Sequence, residues 1–375
     1  MTSGFAPFKS EEVGDLVDEA RLAAWLDALG IAPGVPLRVS RISGGFSNES
    51  IGIERGDTRH VLRRPAKRAL EGADRGMRRE FRLLEALEGT PVPHPRPVAL
   101  CEDPSVAGGV AYLMAYVEGF APGLSLPEPF RGDTALQRDV ARAAMSALGE
   151  LARVDWRARG LEDFGRPAGF HERQAARWAR QLAGYGGGDD RDLSGLREVG
   201  AWLEAHRPDD DAWTPGIMHG DYHLANVFVA PDPPARIAAI LDWENATIGD
   251  PLLDLATFLR LLETGGRDHW GEREALVARW EETSGRRAPD LRYWTALSAY
   301  KLAIMLEGVH RRSLADPTRA RADALGETVL RLVREALDVV NESGGGALDR
   351  GSHPRGVVEP VGSARPHVGT GRRDP

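Results

Sequence analysis

Three oxygen-bearing side chains at a fixed spacing mark the part of this chain where chemistry is easiest to place. Asp221 and Asn226 lie in one short segment, and Asp242 follows an apolar run. The apolar runs at residues 227–229 and 237–241 flank a proline-rich turn, which predicts an antiparallel hairpin. Residues whose numbers share a sum lie opposite each other in such a hairpin. The sequence therefore predicts that Asn226 faces Asp242 at its open end.

This arrangement favours phosphoryl transfer that depends on a divalent metal. Carboxylate and carboxamide oxygens are hard ligands that suit Mg²⁺, so Asn226 and Asp242 are the candidate metal ligands. Asp221 lies in the preceding loop and is free to orient a substrate hydroxyl. The residues therefore predict phosphoryl transfer from a magnesium-bound nucleotide such as ATP to the hydroxyl group of a substrate.

The spacing of these residues resembles the aminoglycoside phosphotransferase-like family of the kinase superfamily. Residues 219–226 match its H-G-D-x-x-x-x-N, residues 241–244 correspond to its I-D-W/F-E, and residues 249–256 match its G-D-P-x-x-D-L-A. The similarity extends from about Ser40 to Leu306. It implies that Asp221 is the catalytic aspartate and that the metal ligands are Asn226 and Asp242.

The resemblance also implies a fold and a branch of the family. The expected fold is α+β and bilobal, like a protein kinase, with a small antiparallel-sheet lobe and one helix at 1–117 and a larger, mainly helical lobe at 118–340. Residues 341–375 lack apolar periodicity and predict a disordered tail. Residues 99–106 and 243–244 look most like the branch fused to acyl-CoA dehydrogenases, which implies a hydroxylated acyl acceptor. Aminoglycosides, sugars, amino alcohols and macrolides remain open.

A glycine-rich turn between the strands predicted at 37–42 and 51–53 is the candidate cover for the nucleotide phosphates. Backbone N–H groups in such a turn can bind phosphate oxygens. An ordinary hairpin turn would have the same composition. The candidate nucleotide-binding residues here are Gly44, Gly45, Phe46, Ser47 and Asn48.

Residues 58–64 predict a strand with Val61 and Arg63 on one face. In related kinases a lysine here binds the α- and β-phosphates, and the resemblance gives that place to Arg63, with Arg64 as the alternative. Arginine keeps the charge of lysine but not its shape. Glu80 falls on the inward stripe of a predicted helix, where a carboxylate needs a partner. We therefore expect an Arg63–Glu80 pair; the alternative is a Glu80 exposed to water.

Two further predictions complete the expected site. Residues 111–117 predict the last strand before the hinge, and the resemblance implies that Ala115 and Val117 offer backbone groups to adenine. At 249–256, Asp250 is the expected helix N-cap. Asp254 then lies one turn into that helix, close enough to brace the catalytic loop.

Parts of the same pattern are compatible with two other functional classes. The alternation of His219, Asp221 and His223 could place three ligands of a metallohydrolase on one strand face. A nucleotide-binding regulator without turnover is a second alternative, which the replacement of lysine by Arg63 favours. The sequence has no H-R-D, D-F-G or A-P-E motif, which argues against a protein kinase.

Composition and charge limit the partners and the cellular compartment that we expect for the protein. A net charge of −8 over 375 residues argues against nucleic acid as the main partner. We find no apolar run long enough to span a bilayer and no signal-peptide pattern. The single cysteine, Cys101, suits a reducing compartment. We therefore expect a cytoplasmic protein without a membrane partner, and the sequence leaves its oligomeric state open.

Overall fold

The N-terminal sheet has five strands in the order β1-β2-β3-β5-β4, and all its pairings are antiparallel. The strands are β1 (Leu37–Ile42), β2 (Asn48–Arg55), β3 (Thr58–Pro65), β4 (Pro97–Cys101) and β5 (Ala111–Ala115). Strands β2, β3 and β5 bury apolar side chains on the sheet. These side chains form a core with two leucines of a neighbouring helix. These buried residues are Ile51, Ile53, Leu62, Leu113, Leu22 and Leu26.

The computed structural model describes residues 13–42, 48–66, 72–185, 191–209, 213–314 and 319–342. These residues form two compact units. The first contains the described residues of Met1–Glu85 together with Pro95–Val117. The second contains Ala86–His94 and the described residues of Glu118–Gly356. None of the described helices is both long and apolar enough to cross a membrane.

Three helices accompany the sheet: α1 (Glu19–Ala28), α2 (Ala73–Leu87) and α3 (Pro104–Ala107). Helix α1 begins at Glu19 because the Asp18 carboxylate caps it by accepting the Arg21 N–H. Helix α2 buries the apolar stripe that its periodicity predicted. That stripe consists of Met77, Phe81, Leu84 and Leu87.

The second unit is mainly helical and carries two short pairs of antiparallel strands. Its helices are α4 (Thr134–Arg153), α5 (Phe170–Gly184), α6 (Ser194–Ala205), α7 (Leu252–Thr264), α8 (Arg273–Ser284), α9 (Arg292–Ser313) and α10 (Arg319–Asn341). Strand β6 (Gly216–Met218) pairs with β9 (Thr247–Gly249), and β7 (Val227–Val229) pairs with β8 (Ile237–Ile240). The predicted catalytic loop therefore connects β6 to β7.

The register of the β7–β8 hairpin differs from the prediction. Val227 pairs with Ile240, so the hairpin is offset by one residue from the expected pairing. The register shifts between Phe228 and Val229, where β8 contributes one extra residue. The wrong partner for Asn226 therefore comes from where the prediction centred the turn, and the extra residue of β8 makes up part of that difference.

Candidate active site

The loop at 219–226 is fixed by a carboxylate from the first turn of α7. Asp254 accepts the backbone N–H of His219 at 2.6 Å and that of Gly220 at 3.0 Å. Its side chain is 2% exposed. A buried carboxylate that binds two successive N–H groups fixes the path of the chain between them. The brace expected from the spacing is thus present as a pair of hydrogen bonds.

Gly220 sits at the tightest point of this loop. Its φ is +82°, a left-handed value that favours glycine, and a Cβ there would collide with the carbonyl group of Asn245. Lys301 of α9 donates from its Nζ to the Gly220 carbonyl oxygen at 2.6 Å. Asp254 and Lys301 therefore hold the loop just before Asp221.

Sequence reasoning did not include Lys301, although a signal for it exists. The neighbouring turns of α9 place Leu297 and Ile304 beside it, and both are fully buried. A lysine on an apolar helix stripe implies that its ammonium has a partner. Its partner could not be read from the sequence, because the contact joins residues 81 positions apart.

Asp221 projects from the clamped loop and is partly exposed. The Asn226 amide nitrogen donates to the Asp221 carbonyl oxygen at 2.9 Å and lies 3.3 Å from its Oδ2. Burial acts to raise the pKa of Asp221, but the hydrogen bond and charge of His223 outweigh it and lower this pKa to about 2. Asp221 is therefore ionised near neutral pH and can accept a hydrogen bond from a hydroxyl group.

Asn226 and Asp242 lie at the same end of the hairpin without facing each other. The Leu241 N–H donates to the Asn226 carbonyl oxygen at 2.8 Å, so Leu241, not Asp242, lies across from Asn226. Asp242 follows directly and has a φ of +64°. Such a left-handed conformation is uncommon for a non-glycine residue and is often found at functional sites.

The donor set at the end of this hairpin fits a magnesium ion. Because the Asn226 amide nitrogen is turned towards Asp221, its Oδ1 is left as a neutral oxygen donor. Asp242 supplies a carboxylate. Within the described ranges no cluster of three or more His, Cys, Asp or Glu could hold a metal. A site here would consist of two protein oxygens completed by phosphate and water oxygens, as Mg²⁺ commonly has.

The two histidines of the loop have structural contacts. His219 is fully buried, its Nε2 lies 2.8 Å from the Leu241 carbonyl oxygen, and its Nδ1 accepts the Asp221 N–H. Burial lowers the pKa of His219, which favours the neutral ring. The Nδ1 of His223 accepts the Ala225 N–H at 3.1 Å. Since both nitrogens of His219 are occupied, the H-x-D-x-H pattern does not present three metal ligands.

In the first unit, the expected pair of Arg63 and Glu80 is formed. Arg63 Nε lies 2.9 Å from Glu80 Oε2, and the Tyr112 hydroxyl donates to the same oxygen at 2.9 Å. Glu80 is 2% exposed, so the alternative of a solvated Glu80 is wrong. Arg64 is also buried and donates from Nε to the Ala107 carbonyl oxygen at 2.7 Å. Arg63 is therefore the arginine that the buried glutamate orients.

The structure describes only some of the other residues that were predicted to bind the nucleotide. Gly44, Gly45, Phe46 and Ser47 lie outside the described residues. Asn48 opens β2, and Val61 is buried in β3 opposite Met114. The Ala115 N–H already donates to the Arg96 carbonyl oxygen at 2.9 Å, so that group is engaged within the sheet. Val117 follows β5 and stays a prediction.

Comparison with known proteins relates this chain to phosphotransferases. The model of a family described as the phosphotransferase enzyme family matches residues 38–291. The acyl-CoA dehydrogenase family member 11 of Gallus gallus is 31% identical over 300 residues, which are 75% of this chain and 38% of that protein. The chain thus spans well under half the length of this relative.

Two solved structures share the fold. A Ralstonia eutropha protein, named as a candidate aminoglycoside phosphotransferase, is 26% identical with a TM-score of 0.74, covering 87% of this chain and 99% of its own. Aminoglycoside 2'-phosphotransferase-IIIa, solved with GDP, is 17% identical with a TM-score of 0.57, covering 86% and 99%. The predicted bilobal kinase-like fold and the resemblance to the branch fused to acyl-CoA dehydrogenases are confirmed.

Proposed function

Because the chain belongs to the phosphotransferase enzyme family, we propose that it transfers the γ-phosphoryl group of ATP to a hydroxyl group of a small molecule. The observation that carries this proposal is the clamped loop, which presents an ionised Asp221 in contact with Asn226, while Asp242 directly follows the residue that pairs with Asn226. Phosphoryl transfer needs mainly positioning and charge stabilisation, and this loop is built for positioning.

Asp221 is proposed to accept the hydrogen bond of the acceptor hydroxyl and to aim its oxygen at the γ-phosphorus. A carboxylate with a pKa of about 2 is a weak base, so it takes the proton late, as the new P–O bond forms. The bond between the γ-phosphorus and the bridging oxygen breaks in the same step, and ADP leaves. The clamp on Gly220 keeps Asp221 in this orientation.

Asn226 and Asp242 are the residues that would hold magnesium. The ion, when bound, neutralises the negative charge on the phosphate oxygens. We propose that Arg63, oriented by Glu80, binds the α- and β-phosphates in the place of the usual lysine. Its bidentate guanidinium suits phosphate oxygens.

The acceptor class is proposed from the relatives. The Gallus gallus relative is named as an acyl-CoA dehydrogenase family member, and the present chain corresponds to part of it. A phosphotransferase unit joined to such an enzyme fits a hydroxylated acyl compound as the acceptor. The expected cytoplasmic location belongs to the same proposal.

The test is magnesium-dependent formation of ADP from ATP with a panel of hydroxylated acceptors, followed by detection of the phosphorylated product. Asp221→Asn should lower kcat at least a hundredfold while nucleotide affinity is retained, because the carboxamide keeps the shape but loses the charge. Asp232→Asn, in the exposed hairpin turn, is the matched control. A wild-type protein that binds ATP but phosphorylates no acceptor would favour the regulator instead.

A further inference from the structure

Lys301 of α9 lies between the loop that carries Asp221 and an aromatic ring. Its Nζ donates to the Gly220 carbonyl oxygen at 2.6 Å and lies 6.0 Å from the centroid of the Trp178 ring. The Arg177 guanidinium carbon lies 5.0 Å from the same centroid, and both distances allow cation–π attraction. Because Lys301 is partly buried, water and salt screen its charge less than that of an exposed lysine.

The charge of Lys301 and that of the buried Asp254 act on each other. Burial lowers the pKa of Lys301, the charges of Asp254 and Asp221 oppose this effect, and the charge of Arg177 adds to it. The two carboxylates thus favour the charged ammonium. Burial raises the pKa of Asp254 to about 6, and the charge of Lys301 opposes the rise. Each group therefore stabilises the ionised form of the other.

The groups of the loop that face Asp254 do not supply a positive charge of their own. The charge of Asp221 raises the pKa of Asp254. Burial and the charge of Asp254 raise the pKa of Tyr222, so its hydroxyl is neutral. Burial lowers the pKa of His219, which favours the neutral ring. Lys301 is therefore the cation that offsets the cost of ionising Asp254.

The brace on the loop depends on the ionised form of Asp254. Its Oδ2 accepts the His219 N–H and its Oδ1 accepts the Gly220 N–H. A protonated carboxyl group carries a hydrogen on one oxygen, and that oxygen becomes a donor that needs an acceptor of its own. Protonation would therefore weaken one of the two bonds that fix the chain just before Asp221.

We propose that Lys301 is a positioning residue for phosphoryl transfer: its ammonium keeps Asp254 ionised near neutral pH, and the ionised brace keeps Asp221 aimed at the acceptor hydroxyl. Residue 301 lies beyond the matched family range of 38–291. This inference rests on the proposed phosphotransferase function, and it adds a residue that sets the pH below which turnover is lost.

The first test is the pH dependence of kcat, measured with saturating ATP, magnesium and an acceptor that the wild type uses. Wild-type kcat should fall below about pH 6, where Asp254 takes up its proton. In Lys301→Met the chain length is kept but the charge is lost, so the fall should begin about one pH unit higher. Lys301→Gln keeps an N–H donor without charge and should show the same shift. Lys301→Arg keeps the charge and should restore the wild-type position of the fall.

A merely structural role of Lys301 predicts a different profile. Loss of the hydrogen bond to Gly220 alone would lower kcat by the same factor at every pH. If the charge acts through Asp254, the ratio of variant kcat to wild-type kcat should instead rise about tenfold from low to high pH, because a shift of one pH unit changes the ionised fraction by that factor. Arg177→Gln, which removes the other cation from the Trp178 ring, is the matched control and should leave the profile in place.

The free energy of unfolding gives a second readout that does not require turnover. A raised folded pKa contributes stability at low pH that is lost as pH rises through that pKa. In Lys301→Met this loss should extend about one pH unit higher than in the wild type. The difference should vanish when both proteins also carry Asp254→Asn, because the titrating group is then absent.

Two results would overturn the role of Lys301. One is that the neutral variants leave both the kcat profile and the unfolding profile at the wild-type pH. The other is that the same shift persists in the Asp254→Asn background. Absence of acceptor-dependent ADP formation by the wild type with every compound would instead reject the proposed function, while the unfolding curves would still measure the effect of Lys301 on Asp254.

Discussion

Glu80 in the first unit and Asp254 in the second are equally buried carboxylates that are satisfied in different ways. Each is 2% exposed. Glu80 binds side chains, since Arg63 and the Tyr112 hydroxyl each lie 2.9 Å from its Oε2. Asp254 binds the main chain through the N–H groups of His219 and Gly220. One carboxylate therefore orients a cation, whereas the other fixes the path of a loop.

The difference has an electrostatic consequence. Glu80 has a counter-ion, but no cation of the described residues forms an ion pair with Asp254. Burial raises the pKa of Asp254 to about 6, although the His219 N–H and the charge of Lys301 oppose the rise. A loop can thus be held by a buried carboxylate that has no ion pair. The free energy needed to keep this carboxylate ionised then makes stability depend on pH.

The largest expected effect comes from Asp254→Ala. It leaves two N–H groups without an acceptor, one buried and one partly buried, and each unpaired donor costs roughly 1–3 kcal/mol. We expect the free energy of unfolding to fall by about 4 kcal/mol and kcat to fall at least tenfold because Asp221 loses its orientation. Denaturant unfolding and steady-state turnover measure both. Asp254→Asn keeps one acceptor and should lose less; equal losses would show that charge matters more than geometry.

The corresponding change in the first unit is Glu80→Gln. It leaves Arg63 without its counter-charge, and breaking a buried pair costs roughly 3–5 kcal/mol. Because the Arg63 side chain is 11% exposed, we expect the lower end, about 3 kcal/mol, and a higher KM for ATP with a smaller change in kcat. Glu85→Gln, exposed on the same helix, is the control. A variant that lowers kcat but leaves KM unchanged would contradict this division of roles.

The raised pKa of Asp254 predicts that the free energy of unfolding depends on pH. Since the folded pKa of Asp254 is raised to about 6, the folded state binds this proton more tightly than the unfolded chain. The contribution of Asp254 to the free energy of unfolding is therefore most favourable at low pH, and it is lost as pH rises from about 4 to about 6. In that window the free energy of unfolding of the wild type should fall by up to about 1.4 kcal/mol per pH unit relative to that of Asp254→Asn. Unfolding curves across pH check this; a flat difference would reject the raised pKa.

The smallest effect is expected from Tyr112→Phe. The variant removes one hydrogen bond to Glu80 and leaves the contact with Arg63 in place. A hydrogen bond to a charged group contributes roughly 1.5–3 kcal/mol, and we expect about 1.5 kcal/mol. Thermal and denaturant unfolding measure it. A loss as large as that of Glu80→Gln would mean that the hydroxyl, not the cation, stabilises the carboxylate.

Much of the site could be predicted because its chemistry is local in sequence. The Asp221–Asn226 contact spans five positions, and the Asp254 brace follows from a helix start with one turn of spacing. Helix periodicity placed Glu80 on the inward face and strand periodicity separated Arg63 from Arg64, whereas the choice of Arg63 as the partner came from the family resemblance. In each case a short-range rule fixes which way a side chain faces.

The elements that sequence analysis missed lack such rules. Helices α6 and α10, the short α3 and strands β4, β6 and β9 were not predicted. The strands and α3 are too short for a clear period, and α6 has no side-chain cap to mark its start. The hairpin register was wrong by one residue because a proline-rich turn does not show in the sequence where the turn is centred, and the bulge in β8 corrects only part of that offset.

The order of residues by itself determined which groups this protein brings to a phosphate: one carboxylate to aim a hydroxyl, two oxygen donors for a metal, and a buried pair of opposite charges. Only the tertiary structure decided that Lys301 reaches Gly220 and shares Trp178 with Arg177. The reason is physical. Spacing fixes the face on which a side chain lies, but the packing of α9 against other helices decides which distant group that face meets.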